Sequence, residues 1–169
     1  MFDFWSEGIQ EGRILDEYGI NSEHVTQGVP QVSMPLKWSG APEGTQSYAI
    51  VFQDYDNVPD EGFSWIHWLV ADIPKDVFSL EKNASREGVG FVQGTNSWSV
   101  PYGPYADIEE DLTLHYGGPA PEREHEYELR IYALDKILGM NDGFYYNQLL
   151  RSMEGHILAE AKLKGCYGK

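Results

Sequence analysis

Three segments of the chain have the apolar pattern of β-strands. Residues 46–53, 64–72 and 125–134 consist largely of aromatic and aliphatic residues, and turn-forming residues follow the first two. Residues 64–72 are apolar on both faces, as is typical of a central strand that is covered on both sides. Many Gly and Pro residues punctuate the segments between the strands. This pattern predicts a mainly β fold with antiparallel sheets.

Only the C-terminal quarter has helical spacing. Apolar residues recur there at intervals typical of a helix face: Leu149, Leu150, Met153, Ile157 and Leu158. Asn141 and Asp142 are candidate N-cap residues, and Gly155 is expected to divide the stretch into two short helices. Residues 162–167 alternate again, which predicts a return to the sheet.

The composition is that of one folded domain spanning residues 1–169. The chain is 41% hydrophobic and 14% aromatic, which is enough to fill one core. No apolar run approaches the roughly 18 residues that a membrane helix needs, and the start of the chain does not have the pattern of a secretory signal. The single cysteine, Cys166, excludes an internal disulfide and a Cys-rich zinc site. We therefore expect a cytoplasmic protein.

The charge balance restricts the partners of the chain. It has 12 Lys and Arg residues against 27 Asp and Glu residues, a formal net charge of -15. Such a surface repels the phosphates of nucleic acids and of anionic membranes, and no basic cluster interrupts it. We expect no nucleic-acid partner and no stable membrane association. A site for a small anion must then be built from N–H and O–H donors that are placed locally.

The polar residues best suited to bind a ligand lie in or beside the predicted strands. Asp54 follows the first strand, His67 stands among Trp and Ile residues in the second, and His125 and Tyr127 share one face of the third. A carboxylate that accepts one imidazole N–H leaves the other ring nitrogen facing a ligand. Both histidines, acting as donors with the tyrosine hydroxyl, would bind an anion without a metal. Binding should strengthen below about pH 6.5, where free histidine becomes cationic.

These residues belong to motifs that follow one another in a familiar order. The motifs are Ser33-x-Pro35-x-x-Trp38, Asp54-x-Asp56 followed by Pro59, Trp65-x-His67-Trp68-Leu69-Val70, Tyr116-x-Gly118-Pro119-x-Pro121, His125-x-Tyr127 and Gly155-His156-Ile157-Leu158-Ala159. Together they resemble the phosphatidylethanolamine-binding protein (PEBP) family, in the branch that includes bacterial Raf-kinase-inhibitor-like proteins. The likeness runs from about residue 30 to the C-terminus.

The resemblance implies a fold, a pocket and partners. The fold is a core of two packed antiparallel sheets with short peripheral and C-terminal helices. The pocket accepts phosphate, acetate, cacodylate or the head group of phosphatidylethanolamine, with no cofactor and no metal. Carried over by position, its ligand-binding residues are Asp54, His67, Pro119, Pro121, His125 and Tyr127, with Trp65 and Trp68 as walls. Relatives also suggest a homodimer, and a kinase or protease as a protein partner.

Three departures from the family pattern lie close to these residues. Tyr55 stands where the family turn usually has proline, and an additional residue precedes Pro59. Residues 122–124 replace a loop that contains Pro and Gly in the family and is one residue longer there. Residues 105–115 form a longer and more acidic segment than usual. Such a segment would narrow the mouth of the pocket, repel an anion, or favour a zwitterion whose amine it can meet.

The same residues would also suit a structural role or an enzyme. Singly, a histidine in an apolar strand is often a core residue, and Asp54 and Asp56 suit an Asx turn. A metal-dependent or His/Asp hydrolase would use Asp54, His67 and His125, and a sugar-binding sandwich would use the tryptophans. No Gly-x-Ser-x-Gly, His-Glu-x-x-His or phosphate-loop motif supports an enzyme. The prediction is a non-catalytic binding module for a small anion or phosphorylated head group.

Overall fold

Twelve β-strands and four short α-helices make up the fold. The structure is a computed structural model that describes residues 1–169. The strands are β1 (Asp3–Trp5), β2 (Ile9–Gln10), β3 (Arg13–Ile14), β4 (Val25–Thr26), β5 (Val29–Pro30), β6 (Leu36–Ser39), β7 (Ser47–Asp54), β8 (Trp65–Pro74), β9 (Ser79–Leu80), β10 (Val92–Gln93), β11 (His125–Leu134) and β12 (Ile157–Tyr167). The helices are α1 (Val58–Glu61), α2 (Ala84–Glu87), α3 (Glu110–Thr113) and α4 (Tyr146–Met153). None of them has the length and apolar character that crossing a bilayer requires.

A seven-stranded sheet in the order β10-β8-β7-β11-β12-β3-β2 is the centre of the fold. Its pairs are antiparallel except for β12 and β3, which run parallel and meet at Cys166 and Arg13. A second, three-stranded sheet has the order β1-β6-β9, and β4 and β5 form a separate hairpin. The prediction of a mainly β fold with few short helices is confirmed, with one parallel pair added to the antiparallel plan.

Apolar side chains pack on both faces of the large sheet. On one face, Phe52 and Leu129 meet Trp38 of the small sheet in the larger core. On the other face, Leu149 and Met153 of α4 cover a second core. All eight residues of β7 are buried, as are most of β8. The two central strands are therefore apolar on both faces because both of their faces are covered.

The three predicted strands are confirmed with small shifts of their bounds. Residues 46–53 correspond to β7, residues 64–72 to β8, and residues 125–134 match β11. The predicted return of residues 162–167 to the sheet is also confirmed, since they belong to β12.

The predicted second C-terminal helix is wrong. Gly155, at φ 77°, turns the chain sharply after α4 rather than separating two helices. Ile157 and Leu158 then open β12, where they are 44% and 40% exposed. The backbone of this segment pairs with β11, which offers hydrogen bonds along its whole length. That non-local pairing outweighs the helical spacing of the side chains.

The start of α4 also lies later than the sequence predicted. Its N-cap is Tyr145, and Gln148 completes a capping box. Asp142, the predicted cap, instead accepts a hydrogen bond at Oδ1 from the backbone N–H of Gln93, at 3.0 Å. It therefore holds β10 against the loop that leads into α4.

Candidate functional site

A β-bulge in β8 sets the direction of His67. Gln53 pairs with Ile66 and Phe52 pairs with Trp68, so His67 is the extra residue of the β7–β8 ladder. A bulge re-aims the side chains around it. The His67 ring packs on Phe52 with ring centroids 5.0 Å apart, and the residue is 3% exposed. The predicted burial of His67 is confirmed.

A hydrogen bond to a backbone carbonyl fixes the proton of His67. Its Nδ1 lies 2.6 Å from the carbonyl oxygen of Gly117, and since that oxygen can only accept, Nδ1 carries the proton. Burial lowers the pKa of His67 to about 3, although the carbonyls of Gly117 and Gly118 oppose this shift. No protein group is hydrogen-bonded to the buried Nε2. The ring is thus neutral at physiological pH in this structure, with Nδ1 as the donor and Nε2 as an acceptor.

The adjacent strands β7 and β11 join Asp54 to His125. His125 Nδ1 lies 2.7 Å from Asp54 Oδ2, and the side chains are 4% and 5% exposed. Asp54 Oδ1 also accepts from the backbone N–H of Asn57, three residues on, at 3.2 Å. Burial raises the pKa of Asp54, against the opposing effect of the His125 hydrogen bond. Asp54 therefore acts both as a turn residue and as the group that orients His125.

Asp60, which the sequence did not single out, lies beside the other nitrogen of His125. Its Oδ2 is 3.1 Å from His125 Nε2, but the direction is not that of a hydrogen bond. Asp60 also pairs with Arg123 at 3.2 Å. The carboxylate reaches His125 because Asp60 lies in the one-turn helix α1, and no spacing rule in the sequence predicts that approach.

A cavity of about 360 Å³ brings most of the predicted residues together. Six of the eight predicted ligand-binding residues line it: Asp54, Trp65, His67, Pro121, His125 and Tyr127. The rings of Tyr127 and His67 lie 5.2 Å apart, and those of Tyr127 and His125 lie 6.2 Å apart. Burial raises the pKa of Tyr127 far above its ordinary value, so its hydroxyl remains protonated. The cavity thus offers a phenol donor beside two imidazoles.

Two predicted residues lie away from this cavity. Trp68 is fully buried between the sheets, and its Nε1 donates to Gln93 Oε1 at 2.7 Å. The bulge at His67 turns Trp68 into the core, so it is not a cavity wall. Pro119 instead anchors its loop, because its carbonyl oxygen accepts from the backbone N–H of Ile20 at 2.8 Å. Of the two prolines only Pro121 reaches the cavity lining.

Two aromatic residues outside the predicted ligand-binding set complete the walls. Trp98 packs edge-on against Trp65 and His67, with centroids 5.1 and 5.4 Å away. Tyr105 packs on Trp65 at 4.9 Å, and its hydroxyl donates to Glu61 Oε1 at 2.9 Å. Residues 105–115 therefore narrow the mouth of the cavity, with Tyr105 and Ile108 in its lining. The lining residues include no Ser, Thr, Cys or Lys, and no three His, Cys, Asp or Glu side chains are grouped to hold a metal.

Fold and cavity together define a class: a two-sheet β protein with a cavity lined by histidine, aspartate and tyrosine. The sequence model of the phosphatidylethanolamine-binding protein family matches residues 5–168. The chain belongs to this family. The match confirms the resemblance carried by the motifs and extends it towards the N-terminus.

Individual relatives are similar over nearly the whole chain. The Bacillus subtilis protein YxkA is 38% identical over 147 residues, which are 85% of this chain and 86% of the relative. A UPF0098 protein of Methanothermobacter thermautotrophicus is 37% identical and shares 92% of this chain and 91% of its own. The solved structure of CT736, a PEBP homologue from Chlamydia trachomatis, has a TM-score of 0.77 at 30% identity and covers 99% of this chain and 97% of its own. Escherichia coli YbcL gives a TM-score of 0.74 at 27% identity, covering 99% and 98%.

Proposed function

We propose that the chain is a non-catalytic binding module for a small anion or a phosphorylated head group. The observation that supports this most is the buried pair of His67 and His125. Each uses Nδ1 to contact the protein, and neither Nε2 has a hydrogen-bond partner. Both residues line one cavity with the hydroxyl-bearing Tyr127. Buried polar atoms are rarely left unpaired, so a ligand that pairs with them would account for both nitrogens at once.

The affinity should be modest. Hydrogen bonds that involve a charged group contribute about 1.5–3 kcal/mol each. They must offset the dehydration of the anion in a protein whose formal net charge is -15. We expect dissociation constants of roughly 0.1 to 10 mM for phosphate and phosphoethanolamine.

Catalysis is not part of the proposal, because no serine, threonine, cysteine or lysine nucleophile lines the cavity. Cys166 lies on β12 and is absent from its lining, which also contains no serine or threonine. A metal-dependent or His/Asp hydrolase using the same cavity is the rival. Elemental analysis of the purified protein separates the two: stoichiometric zinc or iron that is lost in His67→Ala would replace the binding module by a metalloenzyme.

An NMR titration with inorganic phosphate and with phosphoethanolamine tests the binding function. Resonances of Asp54, His67, His125 and Tyr127 should shift together below about 50 mM ligand, which is well above the expected dissociation constants. Shifts confined to other residues would mean that the site is elsewhere. No shift at all would overturn the function.

Variants with matched controls locate the interaction. His125→Ala and Tyr127→Phe should each weaken binding about tenfold, since each removes one polar contact to the ligand. His156→Ala removes a half-exposed histidine that pairs with Asp135, and Tyr132→Phe changes a tyrosine of β11 that packs in the other core. Both controls should bind as the parent does, and circular dichroism should show that all four variants are folded.

The compartment, oligomeric state and protein partner that we propose are based on the resemblance to the family and not on the cavity. We place the protein in the cytoplasm, as a homodimer without stable membrane association. A kinase or protease whose activity it modulates is the partner class that bacterial Raf-kinase-inhibitor-like relatives suggest. Fractionation of cells, with an antibody against the chain, tests the compartment: recovery in the membrane pellet would contradict it.

A further inference from the structure

One long side of the central sheet has no partner strand. β12 pairs with β11 along its whole length, but on its other side β3 meets it at a single position, where Cys166 lies opposite Arg13. β1 of the small sheet forms a ladder only with β6. The outer side of β12 from residue 158 to residue 164 is therefore unpaired, and we call it the β12 edge. Such an edge is a template for pairing with another strand.

The burial of the side chains agrees with an open edge. Three residues of β11 that face the larger core are 0% exposed: Leu129, Ile131 and Ala133. Their register partners on β12 face the same core and are only partly buried: Leu163, Ala161 and Ala159. Because both rows lie on one face of the same sheet, the difference reflects the missing neighbour beyond β12.

The backbone groups of alternate residues point out of the β12 edge. The N–H of Cys166 donates to the carbonyl of Gly12 at 2.8 Å, on the side of β12 that faces away from β11. Backbone groups of an antiparallel strand alternate between its two sides, and the ladder with β11 is regular from residue 159 to residue 167. The N–H and C=O groups of Glu160, Lys162 and Lys164 therefore point outward, where no strand lies to pair with them.

The charges of the β12 edge indicate which partner would fit. Glu160 pairs with Arg130 at 3.3 Å and Lys164 pairs with Glu126 at 2.5 Å, whereas Lys162 has no carboxylate partner within the chain. Lys162 instead lies opposite Arg130 in the ladder with β11. Like charges that face each other across a ladder are unfavourable. A carboxylate on the open side of Lys162 would offset this repulsion.

We propose that the β12 edge is the dimer interface, where β12 pairs antiparallel with β12 of a second copy about a two-fold axis at Ala161. Glu160 then lies opposite Lys162 of the second copy, and the symmetry repeats this pair, so that both lysines meet a carboxylate. At the axis the small side chain of Ala161 meets its own copy, and the two large sheets become one continuous sheet. This inference gives an interface to the homodimer proposed above and is independent of what the cavity binds.

Other registers of the same two strands satisfy the charges less well. An axis at Lys162 or at Glu160 places that residue opposite itself, and an axis at Leu163 places Lys162 opposite Lys164 of the second copy. An axis at Ala159 moves Lys162 past the start of the second β12 and leaves it unpaired. The edge also carries two lysines and one glutamate in a chain with a formal net charge of -15, so it adds no acidic repulsion where two copies meet.

Reversal of charges in the full chain tests the interface and its register by sedimentation velocity over a dilution series. Lys162→Glu opposes two pairs of glutamates and should weaken dimerisation at least about tenfold, and Glu160→Lys should do the same with lysines. The double variant Glu160→Lys/Lys162→Glu restores both pairs in exchanged positions and should dimerise as the parent does. Lys75→Glu makes the same change of net charge on an exposed residue after β8 and should leave the dimer unchanged.

Hydrogen exchange of the backbone amides gives a second measurement. The N–H groups of Glu160, Lys162 and Lys164 have strand acceptors only in the dimer, so they should exchange at least roughly tenfold more slowly in the parent dimer than in the Lys162→Glu variant. Rapid exchange of these amides in a dimeric sample would refute the β12 edge as the interface.

The outcomes separate the interface from the oligomeric state. A parent chain that sediments only as particles of 19.2 kDa would overturn the dimer and the interface together. A parent dimer that Lys162→Glu leaves intact would keep the dimer and exclude this edge. Loss of the dimer in both single variants without recovery in the double variant would refute the axis at Ala161. None of these results bears on ligand binding in the cavity, which the NMR titration tests separately.

Discussion

His67 should make the protein lose stability as the pH falls from neutral to acid. In the unfolded chain its imidazole has the ordinary pKa of 6.5, while burial lowers the pKa in the folded protein to about 3. Between these values the unfolded chain binds the additional proton, so the free energy of unfolding decreases with decreasing pH. The contribution of the neutral, buried ring is complete above pH 6.5 and is lost progressively towards pH 3.

The size of this effect follows from the linkage between protonation and folding. Each pH unit well inside the window lowers the free energy of unfolding by about 1.4 kcal/mol, so a change from pH 6.5 to about pH 4.5 removes roughly 2–3 kcal/mol. That loss is large against a total stability of about 5–15 kcal/mol. Urea unfolding followed by tryptophan fluorescence measures it, because Trp38, Trp65, Trp68 and Trp98 are buried and report on the folded core.

Two variants isolate the contribution of His67 from that of the carboxylates. His67→Gln keeps an N–H for the Gly117 carbonyl but cannot titrate. Its free energy of unfolding should therefore fall by roughly 2–3 kcal/mol less than that of the parent over the same interval. Asp54, whose pKa is raised by burial, has the opposite dependence and is present in both proteins. His156→Gln replaces a half-exposed histidine and should follow the parent. If the parent and His67→Gln lose stability in parallel, His67 is not the neutral buried group described here.

Three further predictions concern the framework and the assembly. Asp72→Ala should lower the free energy of unfolding, measured with urea, by about 2–4 kcal/mol, since Asp72 accepts from the backbone N–H groups of Leu138 and Met140 at 2.7 Å each. Asp72→Asn keeps one acceptor and should lower it less. Gly118→Ala should lower the free energy of unfolding by about 1–3 kcal/mol, because the added methyl group would overlap the carbonyl oxygen of Tyr18. That oxygen is already fixed by a hydrogen bond from the Tyr116 hydroxyl at 2.8 Å. An unchanged thermal midpoint would contradict this prediction. Light scattering at physiological salt should show a homodimer, and particles of 19.2 kDa alone would exclude it.

Local pattern predicted the central strands well because their environment is uniform. β8 is apolar except for His67 and Asp72 and lies between β10 and β7, so all but Asp72 and Pro74 of its residues are buried. The prediction for the C-terminal region fails because the environment of its residues is not uniform. Leu149 and Met153 are buried on α4, but Leu150 and Ile157, which share the spacing, are 44% exposed. The end of the helix was decided by Gly155 and by the hydrogen bonds of β11, and neither appears in the spacing of apolar residues.

The candidate site could be located from sequence but its chemistry could not. The motifs identified Asp54, His67, His125 and Tyr127, which the structure brings to one cavity. The partners that determine proton positions are distant in sequence: Gly117 lies 50 residues from His67, and Asp54 lies 71 residues from His125. A motif gives residue types in order. It does not state whether an imidazole faces a carbonyl or a carboxylate, and that difference decides which ring nitrogen is the donor.

One extra residue in a ladder links the fold to this chemistry. Ile66 packs in the core beneath α4 and Trp68 packs between the sheets, although residues two apart on a regular strand share a face. The bulge that reverses them inserts His67 at the same point, where it meets Phe52 and the carbonyl of Gly117. In a regular strand the side chain of His67 would point elsewhere and would not contact the Gly117 carbonyl, so nothing would hold the proton on Nδ1. The position of the His67 proton is therefore a consequence of strand register, and a substitution that removes the bulge should break the contact between His67 and the Gly117 carbonyl even if it leaves every cavity residue unchanged.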